Sequence, residues 1–364
     1  MVTNKTKARV NAIFEKLVSS DKNIYNAHFL IHSDTNQWHL NLAGGNAKTN
    51  PKGPAQVGQP VYMASVGKMF TAVLVAMLCD QGMLSFKQPI VGILDKELIY
   101  KLQIFKDLDY TDQIQLRHLL NHTSGLPDYF EDKPLNGLSM SQKILTEPDR
   151  IYNPREVVIW SKSNLRSRFP PGKGFHYSDT GYHLLGLVIE TVTGVPFHKV
   201  LSSWIFEPLD MQGAFLIRHS TPLKASPYPV AGVYFGDTNI VGYRSLSVDY
   251  AGGGITAPLE DLLKFMQALA QGKLLSDQIV RKMGNFVSFA AGIDYGYGMM
   301  KIRPVPLLMP AKYSCWGNAG STGAFSFYHP GLNTYLIGSL NQFRYHQKGI
   351  RCMLRVIDVL LEKG

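Results

Sequence analysis

Strand-like alternation is confined to the two ends of this chain, and helical periodicity fills almost everything between them. Ile13, Phe14, Leu17 and Val18 mark a helical face within Asn11 to Val18. Two strand patterns follow, around Ile24 to His32 and Trp38 to Leu42, joined by a hairpin turn at Asp34-Thr35-Asn36. From Ser65 to about Pro208 helical patterns dominate, broken by loops rich in Pro, Asn and Gly at Asn121 to Gly137 and Ser161 to Gly174. After Ala251-Gly252-Gly253-Gly254 come a helix at Leu259 to Gln271, strand patterns near Tyr295 to Ile302, Gly323 to Tyr328 and Tyr335 to Leu340, and a closing helix from about His346 to Leu361. Strands need partners for their backbone groups, so the distant ends must meet in one antiparallel sheet with helices on its faces. The expected fold class is α+β: a discontinuous sheet domain over residues 1–70 and 251–364, a mostly helical domain inserted over 71–250, and a cleft at their junction.

With 364 residues, 45% of them hydrophobic and 18% charged, the chain can bury a sizeable core, which sets disorder aside. Its net charge of +10 reflects a shortage of acids and no basic run, so nucleic acid is not an expected partner. The densest basic stretch, Arg344, Lys348, Arg351 and Arg355, has the spacing of a solvated helix face. Cys79, Cys315 and Cys352 form no Cys-x-x-Cys pair, so neither a disulfide scaffold nor a zinc ribbon is expected. The longest apolar run, Met69 to Cys79 broken only by Thr71, is too short for a bilayer core of about 30 Å and suits a buried helix, so no membrane span is expected. The stretch Met1 to Lys7 lacks the apolar segment of a secretory signal. A cytoplasmic location is the expectation for the chain as written, and export only if a signal has been trimmed from it.

Three stretches carry the candidate chemistry. In Tyr62-Met63-Ala64-Ser65-Val66-Gly67-Lys68, which opens the most apolar helix, Ser65 and Lys68 are three apart and share a face, so the amine reaches the hydroxyl. The bland alternative is an N-cap serine and a solvated lysine. Tyr177 lies in the turn-rich stretch Pro170 to Tyr182; beside a lysine ammonium its phenolate is expected to be favoured, which would let it take the serine proton and return it to a leaving group. Cys315-Trp316-Gly317-Asn318-Ala319-Gly320-Ser321-Thr322-Gly323-Ala324 precedes the alternating Phe325-Ser326-Phe327-Tyr328, which reads as an edge strand whose small residues admit a substrate backbone. A backbone N–H there would complete an oxyanion hole with that of Ser65.

Together and in this order the three stretches resemble the serine β-lactamase and penicillin-binding-protein superfamily, in its class C-like branch of β-lactamases, D-alanyl-D-alanine carboxypeptidases, D-aminopeptidases and esterases. Leu116 to Pro127, Tyr182-His183-Leu184-Leu185-Gly186 and Ala251 to Gly254 resemble the same branch, so the likeness runs from about residue 10 to the C-terminus. It implies a β-lactamase-like fold with Ser65 as the acylated nucleophile, Lys68 as its proton partner and Tyr177 as general base, the first proton acceptor being either of the last two. Asp179, Asn318, Gly320 and Ser321 are the matching substrate-binding positions. No cofactor and no metal are implied, and the substrate is a small ester, amide or peptide.

Two departures shift the expected substrate. Asp179 stands where the branch usually has Asn; as an acceptor-only carboxylate it would favour a charged Lys68. Asn318 replaces the basic residue that meets a substrate carboxylate, a loss of roughly 1.5 to 3 kcal/mol unless Arg344 substitutes. Esterase-type chemistry is therefore the favoured reading. A D-alanyl-D-alanine carboxypeptidase, penicillin-binding protein or β-lactamase is the alternative, and a catalytically silent ligand-binding module is the second. Gly320-Ser321-Thr322-Gly323 is not a nucleophile elbow, since a strand pattern follows it. Gly67-Lys68 lacks the residues of a phosphate loop, and His28 and His32 alternate within a strand, where a four-residue spacing is not a metal spacing. His118 and His122 read as structural. The loops Asp128 to Ser141 and Ile217 to Val230 are expected to shape the cleft entrance.

Overall fold

A computed structural model describes residues 4–45, 54–306 and 310–362. Its centre is an eight-stranded antiparallel sheet built from both ends of the chain. The N-terminal part supplies β1 (Ala27–Ser33) and β2 (Trp38–Gly44); the C-terminal part supplies β3 (Val287–Ala290), β4 (Ile293–Tyr295), β5 (Met300–Ile302), β6 (Cys315–Ala319), β7 (Phe325–His329) and β8 (Thr334–Ser339). The order across the sheet is β3-β4-β5-β6-β7-β8-β1-β2. The two ends join where β1 pairs with β8, in a register running from His28 opposite Ser339 to His32 opposite Tyr335.

Helices cover both faces. α1 (Asn4–Ser20) and the closing helix α5 (His346–Leu361) pack on one, where Val10, Phe14, Phe29, Phe327 and Val356 share a core. On the other face lie α2 (Lys68–Asp80) and α4 (Leu259–Ala270), with α3 (Asp179–Thr193) packed against α2. α2 is the apolar run of the sequence and is buried around almost its whole circumference, Phe70 stacking on Phe265 at 3.8 Å. Each large apolar side chain buried this way contributes about 1.5–3 kcal/mol, so the helix that begins with Lys68 is firmly anchored. A small sheet of Val61–Tyr62, Ile255–Ala257 and Phe215–Leu216 ties the approach to α2 into the interior.

The α+β reading and the closing of the sheet by the two ends hold. Two details differ. Tyr295 to Ile302 is two antiparallel strands, because Gly296 and Gly298 turn the chain: Gly296 N donates to Met299 O at 2.7 Å, and Gly298 has φ +74°. The Phe325–Tyr328 stretch lies inside the sheet, since β6, β5, β4 and β3 continue beyond it. Its alternation reflects two covered faces, and both Phe327 and Ser326 are buried. No single helix among the described residues is long and apolar enough to cross a membrane.

Candidate active site

The segment entering α2 is pinned by Met63 N, which donates to Ile255 O at 2.9 Å, and then turns sharply at Ala64, whose φ of +46° lies in the left-handed region. A short 3-10 turn over Ala64–Gly67 leads into α2 and leaves Ser65 at the mouth of a cleft of about 610 Å³. One turn on, Lys68 is fully buried. Its Nζ donates to Ser65 Oγ at 3.1 Å, to Gly252 O at 2.5 Å and to the Asp179 carboxylate, which uses all three ammonium donors. It also lies 4.9 Å from the centre of the Tyr177 ring and 5.3 Å from that of Tyr182. Burial disfavours the charge, but the opposing pull of Asp179 and Tyr295 leaves the Lys68 pKa above its ordinary value, so Lys68 is an ammonium.

The glycine run now has a physical reason. A Cβ on Gly67 would sit 1.9 Å from Gly253 O, and one on Gly252 would sit 2.9 Å from Asp179 Oδ1. Only bare backbone lets the loop approach α2 closely enough for Gly252 O to meet Lys68.

Asp179 is the first residue of α3, where Ser178 caps the helix by accepting from Gly181 N at 3.3 Å. Asp179 N donates to Asp128 Oδ1 at 2.9 Å. Burial first, then the charge of Asp179, holds the Asp128 carboxyl well above the usual carboxylate range. The same two causes raise Asp249, which accepts from the Tyr62 hydroxyl, to about 6. Tyr177 lines the cleft with Ser65, whose side chain acts on the phenol. The expectation of a favoured phenolate is overturned: burial, the negative charge of Asp179 and the neighbouring Tyr295 raise the phenol well above its ordinary pKa, against the opposing effect of Ser65.

The third stretch divides. Gly320 follows β6 and packs on the Ala64–Gly67 turn, where a Cβ would lie 2.8 Å from Met63 O and 3.2 Å from Ser65 N. Ser321 lines the cleft opposite, with its carbonyl accepting from Tyr345 N at 3.2 Å. Asn318 does not reach the cleft. It is fully buried, and its amide donates to Gly298 O at 2.9 Å and to the Tyr295 hydroxyl at 3.2 Å. Its Oδ1 accepts from Ala319 N, so the side chain has no capacity facing a substrate. Its placement as a substrate-binding residue is corrected accordingly: it pins the β4–β5 turn. Arg344, exposed, does line the cleft, its guanidinium 5.5 Å from the Phe235 ring centre.

Asp128, Asp249 and Tyr295 belong to the site and were not identified from sequence, because each comes from a different loop or strand and no spacing links them. His122 is structural, as expected, and its structural task is at the site. Its Nδ1 accepts from Ser178 N at 3.1 Å, and its ring lies 4.2 Å from that of Tyr177. Burial and the nearby Lys68 charge keep it neutral. Of the two entrance loops, the first contributes Phe130, Glu131 and Ser141; the second contributes nothing to this cleft, and Phe235, Phe343, Arg344 and His346 take its place. Among the described residues no group of three or more His, Cys, Asp or Glu is arranged to hold a metal ion.

The sequence model described as Beta-lactamase matches residues 27–359. Among curated relatives, penicillin-binding protein 4* of Bacillus subtilis is 29% identical over 273 residues, covering 70% of this chain and 55% of that protein. A D-aminopeptidase of Gluconobacter oxydans is 24% identical, covering 51% of this chain and 34% of that one. The chain thus spans about half or less of the length of these relatives. Among solved structures, a D-amino acid amidase from Ochrobactrum anthropi, in complex with L-phenylalanine amide, superposes with a TM-score of 0.77 at 22% identity, covering 98% of this chain and 99% of that one. A D-stereospecific amidohydrolase from Streptomyces gives 0.76 at 22% identity, covering 94% and 97%. At such identities the structural likeness speaks for the fold.

Proposed function

Because this chain belongs to the beta-lactamase family, we propose that it is an acyl-enzyme hydrolase of carboxylic esters or amides with Ser65 as its nucleophile. The observation that carries this reading is the placement of Ser65 Oγ 3.1 Å from Lys68 Nζ, at the mouth of a cleft that Tyr177 also lines. Lys68 is held as an ammonium and Tyr177 as a phenol, so neither is a free base in the resting enzyme. The proton therefore moves as a relay. As Ser65 Oγ bonds to the carbonyl carbon, its proton passes to the Tyr177 oxygen, and the proton of Tyr177 passes to the departing alcohol or amine. Lys68 remains charged and stabilises the developing alkoxide. The backbone N–H groups of Ser65 and Ser321 receive the oxyanion. Water then attacks the acyl-enzyme by the reverse relay, releasing the acid and restoring the Ser65 hydroxyl.

Esters without a carboxylate remain the favoured substrates, since position 318 brings no cation to the cleft and the guanidinium of Arg344, which does line it, is engaged over the Phe235 ring. Amide hydrolysis is the second reading, favoured by the likeness to amidases and an aminopeptidase and by Glu131, a carboxylate on the cleft wall suited to a substrate ammonium. The test is turnover of nitrophenyl acetate beside a chromogenic cephalosporin by the intact protein and by Ser65→Ala. Ester turnover is expected to fall by at least about a thousandfold in the variant, with the cephalosporin spared by both. Equal ester rates in the two proteins would remove Ser65 from the mechanism.

A further inference from the structure

The cleft continues past the nucleophile as an apolar trough, and its floor is set by strand register. Ile293 of β4 stands opposite Ile302 of β5, Met300 of β5 opposite Gly317 of β6, and Gly317 opposite Phe327 of β7. Ile293, Ile302, Met300 and Phe327 line the cleft; Gly317, between Met300 and Phe327, is buried, and a Cβ on it would lie 2.0 Å from Ser326 O, so bare backbone packs between the two side chains. Ile350 in the first turns of α5 roofs the trough, and Phe289 on β3 closes its side, 5.0 Å from the ring of Phe175. From β6, whose end abuts Ser65, to β4 is two strand spacings, about 10 Å. Ser65, Tyr177 and Asp179 line the same cleft, the Tyr177 ring lying 6.4 Å from that of Phe289.

Resting on the reading of Ser65 as nucleophile, we infer that the trough holds the acyl arm of the substrate, and that this arm is an aliphatic chain of about hexanoyl to octanoyl length. The acyl part is the one that stays on Ser65 while the leaving group departs and water enters, so the arm seated in the closed trough is the retained half. The side chains set along the floor, Ile293, Met300, Ile302 and Phe327, are all apolar, which suits an aliphatic chain better than a charged group.

The experiment is the kcat/KM series of nitrophenyl acetate, butyrate, hexanoate and octanoate, repeated with Ile302→Trp at the far end of the trough. Each buried methylene is worth about fourfold, so octanoate is expected to exceed acetate by at least about a hundredfold, chiefly through KM. Ile302→Trp is expected to lower the octanoate-to-acetate ratio by at least about tenfold. Ile302 is buried, so Ile350→Trp, on the half-buried roof, serves as a second variant in case the first fails to fold. A ratio at or below one, a ratio that neither variant lowers, or a length preference on the alcohol side instead, would overturn the inference. Ester turnover that survives Ser65→Ala would instead remove the nucleophile reading beneath it, so the two failures are distinguishable.

Discussion

An ammonium with no exposed surface persists only where partners offset its desolvation, and Lys68 has two oxygen partners beyond the serine: the Asp179 carboxylate and Gly252 O. Asp179→Asn, which restores the residue usual in this branch, removes the charge and keeps the shape. At neutral pH the variant is expected to lose about 3–5 kcal/mol, the cost of leaving one member of a buried pair uncompensated. With Asp179 gone, burial dominates and the folded-state pKa of Lys68 drops below its ordinary value. The unfolded state then binds more protons than the folded one, so the variant's stability rises with pH and the deficit shrinks. Urea unfolding of both proteins from mildly acid to alkaline pH checks this, and a deficit independent of pH would contradict it. Ser65, Lys68 and Tyr177 were legible in the sequence because short-range spacing and motif order point to them. Asp128, Asp249 and Tyr295 were not, since their place at the site exists only through tertiary packing. Asn318 shows the converse: its motif position was readable, but the direction of its side chain depends on the Gly298 carbonyl and the Tyr295 hydroxyl, which no local pattern reveals.

At the level of elements, the site depends on how the start of α2 seats against the glycine loop. Gly67 has helical dihedrals, φ −57° and ψ −23°, so on propensity alone Gly67→Ala should stabilise by up to about 1 kcal/mol. The new Cβ would lie 1.9 Å from Gly253 O, a backbone atom that cannot swing aside. The expected sign is therefore the opposite: destabilisation by about 1–3 kcal/mol, as for overpacked cores. It should be accompanied by lost ester turnover, since the shift separates Gly252 O from Lys68. Denaturant unfolding gives the sign directly, and a more stable variant would show that the loop is free to retreat. The Ala251–Gly254 run was visible in the sequence as a motif, but its reason was not, because the reason is the distance between two segments far apart in the chain. Gly296 and Gly298 were likewise plain to see, yet the strand pattern runs straight through them. Only the docking of their turn on α2, where a Cβ on Gly298 would meet Ala72 at 2.4 Å, shows that the chain reverses there.

For the molecule as a whole, joining two chain ends into one sheet covered by helices on both faces creates an interior large enough to bury several ionisable groups, and these set its response to acid. The overall joining was readable because strands without local partners must pair at long range; the buried charges were not, because burial is a property of the closed structure. His28 and His118 are held at about 4 and His183 at about 3, in each case mainly by burial, and His122 lies well below its ordinary value for the same reason. Between these folded-state values and the ordinary 6.5 the unfolded chain binds more protons, so stability falls as pH drops through that window. At pH 5 each such histidine costs roughly 2 kcal/mol. Asp128 and Asp249 act in the opposite sense: their raised carboxyls take up protons in the fold, Asp249 near pH 6, and so stabilise on acidification. Four histidines outweigh two acids over the range from 6.5 to 5, so the thermal midpoint is expected to drop between pH 7 and pH 5, well before the exposed carboxylates titrate. A midpoint at pH 5 equal to or above that at pH 7 would mean that the histidines are not held neutral inside. The packing around His122 and Tyr177, and with it the orientation of the phenol toward Ser65, would then need a different account.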